Sequence, residues 1–200
     1  NEMEKFKASH LAVIFDQKDK TFRSEIYPEY KANRPPPPED LVPQFDIIRE
    51  ATNAFGIISI EKKGFEADDI IATLSKEAND IGAKVTIFSS DKDLMQLVSE
   101  KTLMYDPIKN SYINIDKVKE KFGVSPNKVI DVQSLIGDTV DNVPGVPGIG
   151  IKTASHLISI FTNIDNLIEN SDQIDRQRIR DLISTNIDNI QMSKALVTLN

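Results

Sequence analysis

Two stretches of the chain share one form, an apolar run that stops on a carboxylate: His10-Leu11-Ala12-Val13-Ile14-Phe15-Asp16 and Lys84-Val85-Thr86-Ile87-Phe88-Ser89-Ser90-Asp91. Short apolar runs with polar ends read as strands buried on both faces, the form found in parallel sheets. Between them Phe55-Gly56-Ile57-Ile58-Ser59-Ile60 reads as a third strand. Ala67–Ile81 carries Ile70, Ile71, Leu74, Ala78 and Ile81 at helical spacing, and Gly82 ends that helix. This alternation predicts an α/β fold, a mostly parallel central sheet with flanking helices, extended by short strands near 102–105 and 112–115. Ligands of such sheets gather at the carboxyl ends of strands, where Asp16 and Asp91 stand.

Residues 17–43 break the pattern. They are polar, basic and aromatic, and Pro35–Pro38 forms a stiff polyproline stretch before a helix expected to open at Glu39-Asp40. From about Asp116 helices are expected over Asp116–Phe122, Asn127–Leu135, Lys152–Phe161 and a long Arg176–Leu199. The expected organisation is an α/β core at 1–115, bearing the excursion at about 17–43, and a helical part at 116–200.

Acidic residues cluster at three further places. Glu66-Ala67-Asp68-Asp69 opens a helix, Ser90-Asp91-Lys92-Asp93 follows a strand, and Gly137-Asp138-Thr139-Val140-Asp141-Asn142 adds two acids at i, i+3. Each alone is explained by helix-dipole compensation, an N-cap or a turn. Together, Asp16, Glu66, Asp68, Asp69, Asp91, Asp93, Asp138 and Asp141 are expected to meet at one edge of the sheet, where they repel one another unless cations neutralise them. Two Mg²⁺ or Mn²⁺ ions suit an all-oxygen site, and a pair about 4 Å apart serves in-line phosphoryl displacement. Zinc fits poorly, because the chain has no cysteine and its two histidines, His10 and His156, are isolated. The net charge is −7, yet without these eight acids 23 acidic residues face 24 basic ones, so the balance does not argue against a nucleic-acid substrate.

Two segments offer contacts to such a substrate. Pro144-Gly145-Val146-Pro147-Gly148-Ile149-Gly150-Ile151-Lys152-Thr153-Ala154 runs glycines into a helix start, where backbone N–H groups and the dipole grip phosphates without reading bases. Between Thr21 and Arg34, Arg23, Lys31 and Arg34 interleave with Phe22, Tyr27 and Tyr30, giving cations for phosphates and rings for unpaired bases. The absence of cysteine excludes disulfides and thiolate metal sites, and points to a reducing, cytoplasmic setting. The charged start and the lack of any apolar run of roughly 18 residues predict no signal peptide and no membrane partner.

In this order the motifs resemble the 5′-3′ exonuclease domain of bacterial DNA polymerase I, within the flap endonuclease superfamily. They are Val13-Ile14-Phe15-Asp16, Phe22-Arg23 with Tyr30-Lys31-Ala32-Asn33-Arg34, Glu66-Ala67-Asp68-Asp69-Ile70, Asp91-Lys92-Asp93 and Gly137 through Gly150. The resemblance implies a PIN-like 5′ nuclease core and a C-terminal helical part with a helix-hairpin-helix element at about 137–161. It implies Asp16, Glu66 and Asp68 on a first metal and Asp91, Asp93 and Asp141 on a second, with Asp69 and Asp138 as nearby or water-mediated ligands. Arg23, Tyr30, Lys31 and Arg34 correspond to a helical arch that guides the single-stranded 5′ end. Lys31 is expected to serve the scissile phosphate and to leave metal affinity unchanged. Gly145, Gly148, Gly150, Lys152 and Thr153 fall on the duplex-binding hairpin, which in relatives holds a monovalent cation such as K⁺.

The implied activity is Mg²⁺-dependent hydrolysis of DNA at a 5′ flap, nick or primer end, in replication and repair, by a monomer that in the parent protein precedes a polymerase. The family's first strand carries a further metal-binding aspartate and has no counterpart before His10–Asp16. A catalytically incomplete chain that binds branched DNA without cleaving it is therefore the alternative expectation. An RNase of the related acidic-cluster folds fits the hairpin and the basic excursion less well, and a non-enzymatic interaction domain leaves the acids unexplained.

Overall fold

The computed structural model describes residues 8–17 and 19–200. Five short strands form two sheets among them. Strands β1 (Ala12–Ile14) and β2 (Ile58–Ile60) pair in parallel, while β3 (Val85–Phe88) pairs in parallel with β4 (Thr102–Asp106), which pairs antiparallel with β5 (Ser111–Ile113). The sheet expected as one is thus divided, and helix α3 (Ala67–Asp80) joins the halves by packing on both β1 and β3. Asp16 follows β1 and Asp91 follows β3, as their position after the apolar runs predicts.

The excursion contains helix α1 (Phe22–Ile26), a run of turns through Arg34, an extended proline stretch, and helix α2 (Gln44–Ala54). The helix expected at Glu39 starts later. Val42 precedes Pro43, whose ring disfavours helical backbone at the residue before it, so 38–43 close as turns on Pro38 O instead.

Helices α4 (Ile115–Phe122), α5 (Val129–Ile136), α6 (Ile151–Phe161), α7 (Ile164–Glu169), α8 (Gln177–Thr185) and α9 (Ile187–Val197) complete the chain. Asn114 caps α4 by accepting from Lys117 N–H, and Gly123 ends it in left-handed backbone. The single long helix expected over Arg176–Leu199 is broken at Asn186, whose side-chain amide donates to Leu182 O at 2.9 Å and turns the backbone out of helix. One apolar core runs from β3 and β4 through α4, α5, α6 and α8, with Met104, Val118, Val129, Val132, Leu135, Ile158 and Ile183 fully enclosed. Among the described residues no helix is long and apolar enough to cross a membrane.

Two glycines make the sharpest local demand. Gly137 and Gly145 both have positive φ, at 67° and 57°, and lie back to back. A Cβ on Gly137 would meet Val143 O at 2.4 Å, and one on Gly145 would meet Gly137 N at 2.4 Å. Backbone packed on backbone leaves no side chain to yield, so Gly137→Ala is expected to destabilise the fold by on the order of 3 kcal/mol, measured by urea unfolding. A loss under about 1 kcal/mol would show that the crossing relaxes freely.

Candidate functional site

At the start of α3 three acids point to two places. Asp69 turns inward and takes Arg23 in a bidentate pair, Nη1 and Nη2 each 2.7 Å from a carboxylate oxygen. Arg23 also donates to Leu196 O at 2.7 Å and Thr198 O at 2.9 Å, and is 1% exposed. Burial works against the Asp69 carboxylate, but the hydrogen bonds and charge of Arg23 prevail and hold its pKa below the ordinary value. Asp69 also accepts from the N–H groups of Glu66 and Asn200. Two expectations change as a result. Arg23 is sealed from DNA, and Asp69 has its lone pairs engaged inside the protein; both hold the fold together.

Glu66 and Asp68 face a cavity of about 20 Å³, walled also by Asp91, Asp93 and Asp141, with Tyr30 and Lys31. Asp16 reaches the same region, accepting from Ala67 N–H at 2.7 Å. Burial first, then the charges of Asp91, Asp16 and Asp93, push the Asp68 carboxyl up to about 7. Burial and Asp91 push Asp93 up to about 6. Six expected ligands, Asp16, Glu66, Asp68, Asp91, Asp93 and Asp141, are therefore brought together from four segments of the chain.

The cations over this cluster come from the excursion. Lys31 Nζ lies 2.8 Å from Glu66 and 3.8 Å from Asp141, and Arg34 Nε donates to Asp141 at 3.1 Å while its Nη2 contacts the same oxygen. Tyr30 OH donates to Glu66 at 3.3 Å. The backbone follows: Lys31 N–H donates to Asp141 O at 2.9 Å, and Asn33 reaches Thr139 O at 2.7 Å. Residues 27–34 thus lie as turns against the 138–142 loop, not as a helical arch. Lys31, expected to leave metal affinity unchanged, pairs directly with one of the acids at 2.8 Å. With the cations so placed, no three His, Cys, Asp or Glu side chains among the described residues converge on one point that an ion could occupy.

Asp138 stands apart from the cavity wall. Its Oδ2 pairs with Lys92 at 2.5 Å and its Oδ1 accepts from Val140 N–H at 2.8 Å, so its work is to shape the loop that presents Asp141. Gly145 is also reassigned, since its N–H is buried and donates to Ser193 Oγ at 2.9 Å, out of reach of a phosphate. Gly150 caps α6 in extended backbone with open space around its Cα, and Lys152 is exposed beside it. The first N–H groups of α6, at Ile151 and Lys152, have no intrahelical acceptor and face outward with the helix dipole behind them. Gly148, at φ 92°, turns the chain just before, and Thr153 N–H closes the first turn on Gly150 O. His10 and His156 are exposed and outside the cluster.

Two participants have no counterpart among the expected site residues. Lys92 neutralises Asp138, and Gln133, 2% exposed, donates to Asp93 at 2.5 Å. The signal for Gln133 is its place as an amide inside the apolar run Val129–Ile136.

Fold and site together define a divided α/β core with an acid cluster, joined to a helical part that begins with a glycine-rich hairpin. Residues 1–123 match the family profile of the 5′-3′ exonuclease N-terminal resolvase-like domain, and residues 124–200 that of the 5′-3′ exonuclease C-terminal SAM fold. The chain belongs to the 5′-3′ exonuclease family. DNA polymerase I of Rhizobium leguminosarum is 55% identical over 191 residues, which are 96% of this chain and 19% of the relative. The 5′-3′ exonuclease of Aquifex aeolicus is 41% identical over 175 residues, 88% of this chain and 61% of its own length. The chain therefore spans about a fifth of the first relative and three fifths of the second. A structure of the T5 5′-exonuclease with bound zinc superposes with a TM-score of 0.88 at 23% identity, covering 99% of this chain and 77% of that one.

The raised carboxyls make a pH prediction with a defined sign. A carboxyl that is harder to ionise in the folded state binds more protons there than when unfolded, so its contribution to stability is present at low pH and is lost as pH rises from about 4 to about 7. In chelator-treated protein, urea unfolding is expected to give roughly 2 kcal/mol more stability at pH 5 than at pH 8, with Asp68→Asn flattening the difference. A profile that rises toward pH 8 and is unmoved by Asp68→Asn would contradict the crowded cluster.

Proposed function

We propose that this chain hydrolyses phosphodiesters of DNA at 5′ ends and flap junctions, as the 5′-3′ exonuclease part of a DNA polymerase I. The observation that carries the reading is the meeting of Glu66, Asp68, Asp91, Asp93 and Asp141 about one small cavity, with Asp16 near Asp68 and basic residues of the excursion over it. The donor set is all oxygen, without histidine or cysteine, and its five carboxylates outnumber the two cations, Lys31 and Arg34, that the excursion sets against them. That chemistry fits hard divalent cations, Mg²⁺ or Mn²⁺. Asp16, Glu66 and Asp68 are suited to one ion and Asp91, Asp93 and Asp141 to a second. Bound there, such ions supply an activated water and charge stabilisation of the leaving oxygen.

The protein's own groups do the rest. Lys31 and Arg34, freed from Glu66 and Asp141, present cations to the scissile phosphate and to the strand that leads into it. Tyr30 stays over the cluster and shields it from bulk water. The helix start at Gly150-Ile151-Lys152, with Thr153, grips a duplex phosphate and positions the junction by backbone contacts alone, so the reaction follows DNA structure and not base sequence. A monovalent cation such as K⁺ would be held at the same hairpin, where it would offset phosphate charge.

The T5 5′-exonuclease binds divalent metal and the Rad2 catalytic core binds a DNA substrate, and both share this fold, the second at a TM-score of 0.57. A second reading, DNA binding without cleavage, is favoured by one observation: among the described residues no three acids converge on a point in the present arrangement.

On a labelled 5′-flap DNA with Mg²⁺, Asp141→Asn and Asp91→Asn are each expected to slow cleavage by 100-fold or more, on the order seen when a group supporting the charge of the transition state is lost. DNA affinity should stay within about threefold of the unmodified protein, since neither side chain belongs to the phosphate-gripping helix start at 150–153. Turnover near the unmodified level in either variant would sink the cluster as the reaction centre, and slow turnover by the unmodified protein itself would favour the second reading.

Lys31→Ala is expected to slow cleavage and also to tighten Mn²⁺ binding, about threefold to tenfold by calorimetry, because an ion entering beside Glu66 no longer displaces an ammonium 2.8 Å away. Unchanged Mn²⁺ affinity would mean that Lys31 leaves the cluster before metal binds.

A further inference from the structure

Gln133 sits on α5 between Val132 and Leu135, two side chains of the core, and is itself 2% exposed. One end of its amide donates to Asp93 Oδ1 at 2.5 Å, while the other, Oε1, is buried without a partner. An ionised carboxylate accepts and cannot donate, so the charge of Asp93 sets which end of the amide faces it, and Oε1 is left turned into the core. Buried polar atoms without partners are few in folded proteins, because each has given up hydration for nothing. A leucine fills the same space without that loss. The amide therefore serves its other end, where it meets Asp93.

Asp93 is fixed from three directions. Its N–H donates to Asp91 Oδ1 at 2.9 Å, its carbonyl accepts from Gln96 Nε2 at 3.0 Å, and its Oδ1 accepts from Gln133. Gln96 is in turn held by Val197 O and by Leu199 N–H, so the loop carrying Asp93 is tied to the end of the chain. Only the Gln133 bond acts on the carboxylate itself. Its Oδ2 takes no part in these bonds, and Asp93 lines the cavity of the acid cluster.

We infer that Gln133 is a positioning residue: by holding Oδ1 it fixes the Asp93 carboxylate with Oδ2 free for the cavity, and so sets the affinity of the cluster for a divalent cation. The inference rests on the reading of the cluster as a metal centre. Partners that orient a ligand from behind commonly change metal affinity 10-fold to 100-fold when removed. The same bond favours the charged form of Asp93 against the burial that raises its pKa.

The test uses Gln133→Leu and the unbranched Gln133→Met, with Mn²⁺ binding measured by calorimetry without DNA and thermal unfolding measured alongside. Mn²⁺ affinity is expected to fall about 10-fold to 100-fold, with the melting temperature within about 4 °C of the unmodified protein. In an Asp93→Asn background the same substitutions should cause no further loss, which assigns the effect to this pair. Affinity within about threefold of the unmodified protein in both variants overturns the inference, as does an equal loss in the Asp93→Asn background. If both variants lose their cooperative transition, Gln133 is a core residue and the inference falls. An unmodified protein that binds no Mn²⁺ removes the metal reading and the inference together. Normal binding by the unmodified protein and both variants removes the inference alone.

Discussion

The buried Arg23–Asp69 pair is the contact through which the separate parts of the chain hold one another. Arg23 comes from α1, Asp69 from α3, and the carbonyls that complete the guanidinium belong to Leu196 and Thr198 at the end of α9. Removing one partner from a buried ion pair costs about 3–5 kcal/mol, because the other charge is left without hydration or counterion. This pair is also placed where its geometry matters twice. Asp69 caps the N–H of Glu66, so the bond that fixes α1 and α9 also fixes the helix end whose neighbouring carboxylates, Glu66 and Asp68, face the cavity. Within four residues Glu66 and Asp68 face the cavity and Asp69 turns inward, and the rotation of the helix separates them.

Charge balance explains the remaining arrangement. Five carboxylates around a cavity of about 20 Å³, with Asp16 nearby, repel strongly, and the fold answers with Lys31 and Arg34 from the excursion, while Lys92 neutralises Asp138 in the loop behind. These two cations do not balance the acids around the cavity, and burial together with the neighbouring carboxylates leaves Asp68 and Asp93 hard to ionise. What results is a cluster compensated enough to fold and still short of positive charge. A polyanion alone would add to the repulsion; a divalent cation relieves it. Pairing with Glu66 and Asp141 also ties residues 27–34 to the cluster, so the state of the acids and the position of the excursion are coupled by Coulomb's law.

Legibility in the sequence followed the range of the interaction involved. The apolar runs before Asp16 and Asp91, and the periodicity of 67–81, are set by burial along single elements, and they predicted β1, β3 and α3 correctly. Of the eight acids expected to meet, six do so, and their clustering was legible because they stand at or near the ends of elements. Which acids were spoken for was not. Asp68 and Asp69 are adjacent and chemically alike, and only the distant Arg23 distinguishes them. Arg23 itself reads as one basic residue among several, although it is buried and Arg34 is half exposed. Helix limits failed where local side chains compete with the backbone: Pro43 delayed α2, and Asn186 divided the long C-terminal helix. The division of the sheet depends on which strand edges meet, a nonlocal choice that strand composition does not encode.

The glycine-rich stretch joins the two functions the geometry suggests. Asp138 and Val143 exchange backbone hydrogen bonds at 2.9 and 2.7 Å, closing a tight loop whose neck is the Gly137–Gly145 crossing. Asp141 stands inside that loop and faces the cavity, while the chain leaving its neck is fastened by Val146 N–H to Leu135 O and reaches the start of α6 five residues later. The acid and the helix start are therefore set by one rigid piece of backbone, with no side chain at the crossing to absorb a change. Under the proposed function this means that the distance between the gripped phosphate and the cleaved one is a property of the backbone. The choice of cleavage position then requires no contact with a base, and a sequence-independent nuclease can still cut at a defined place.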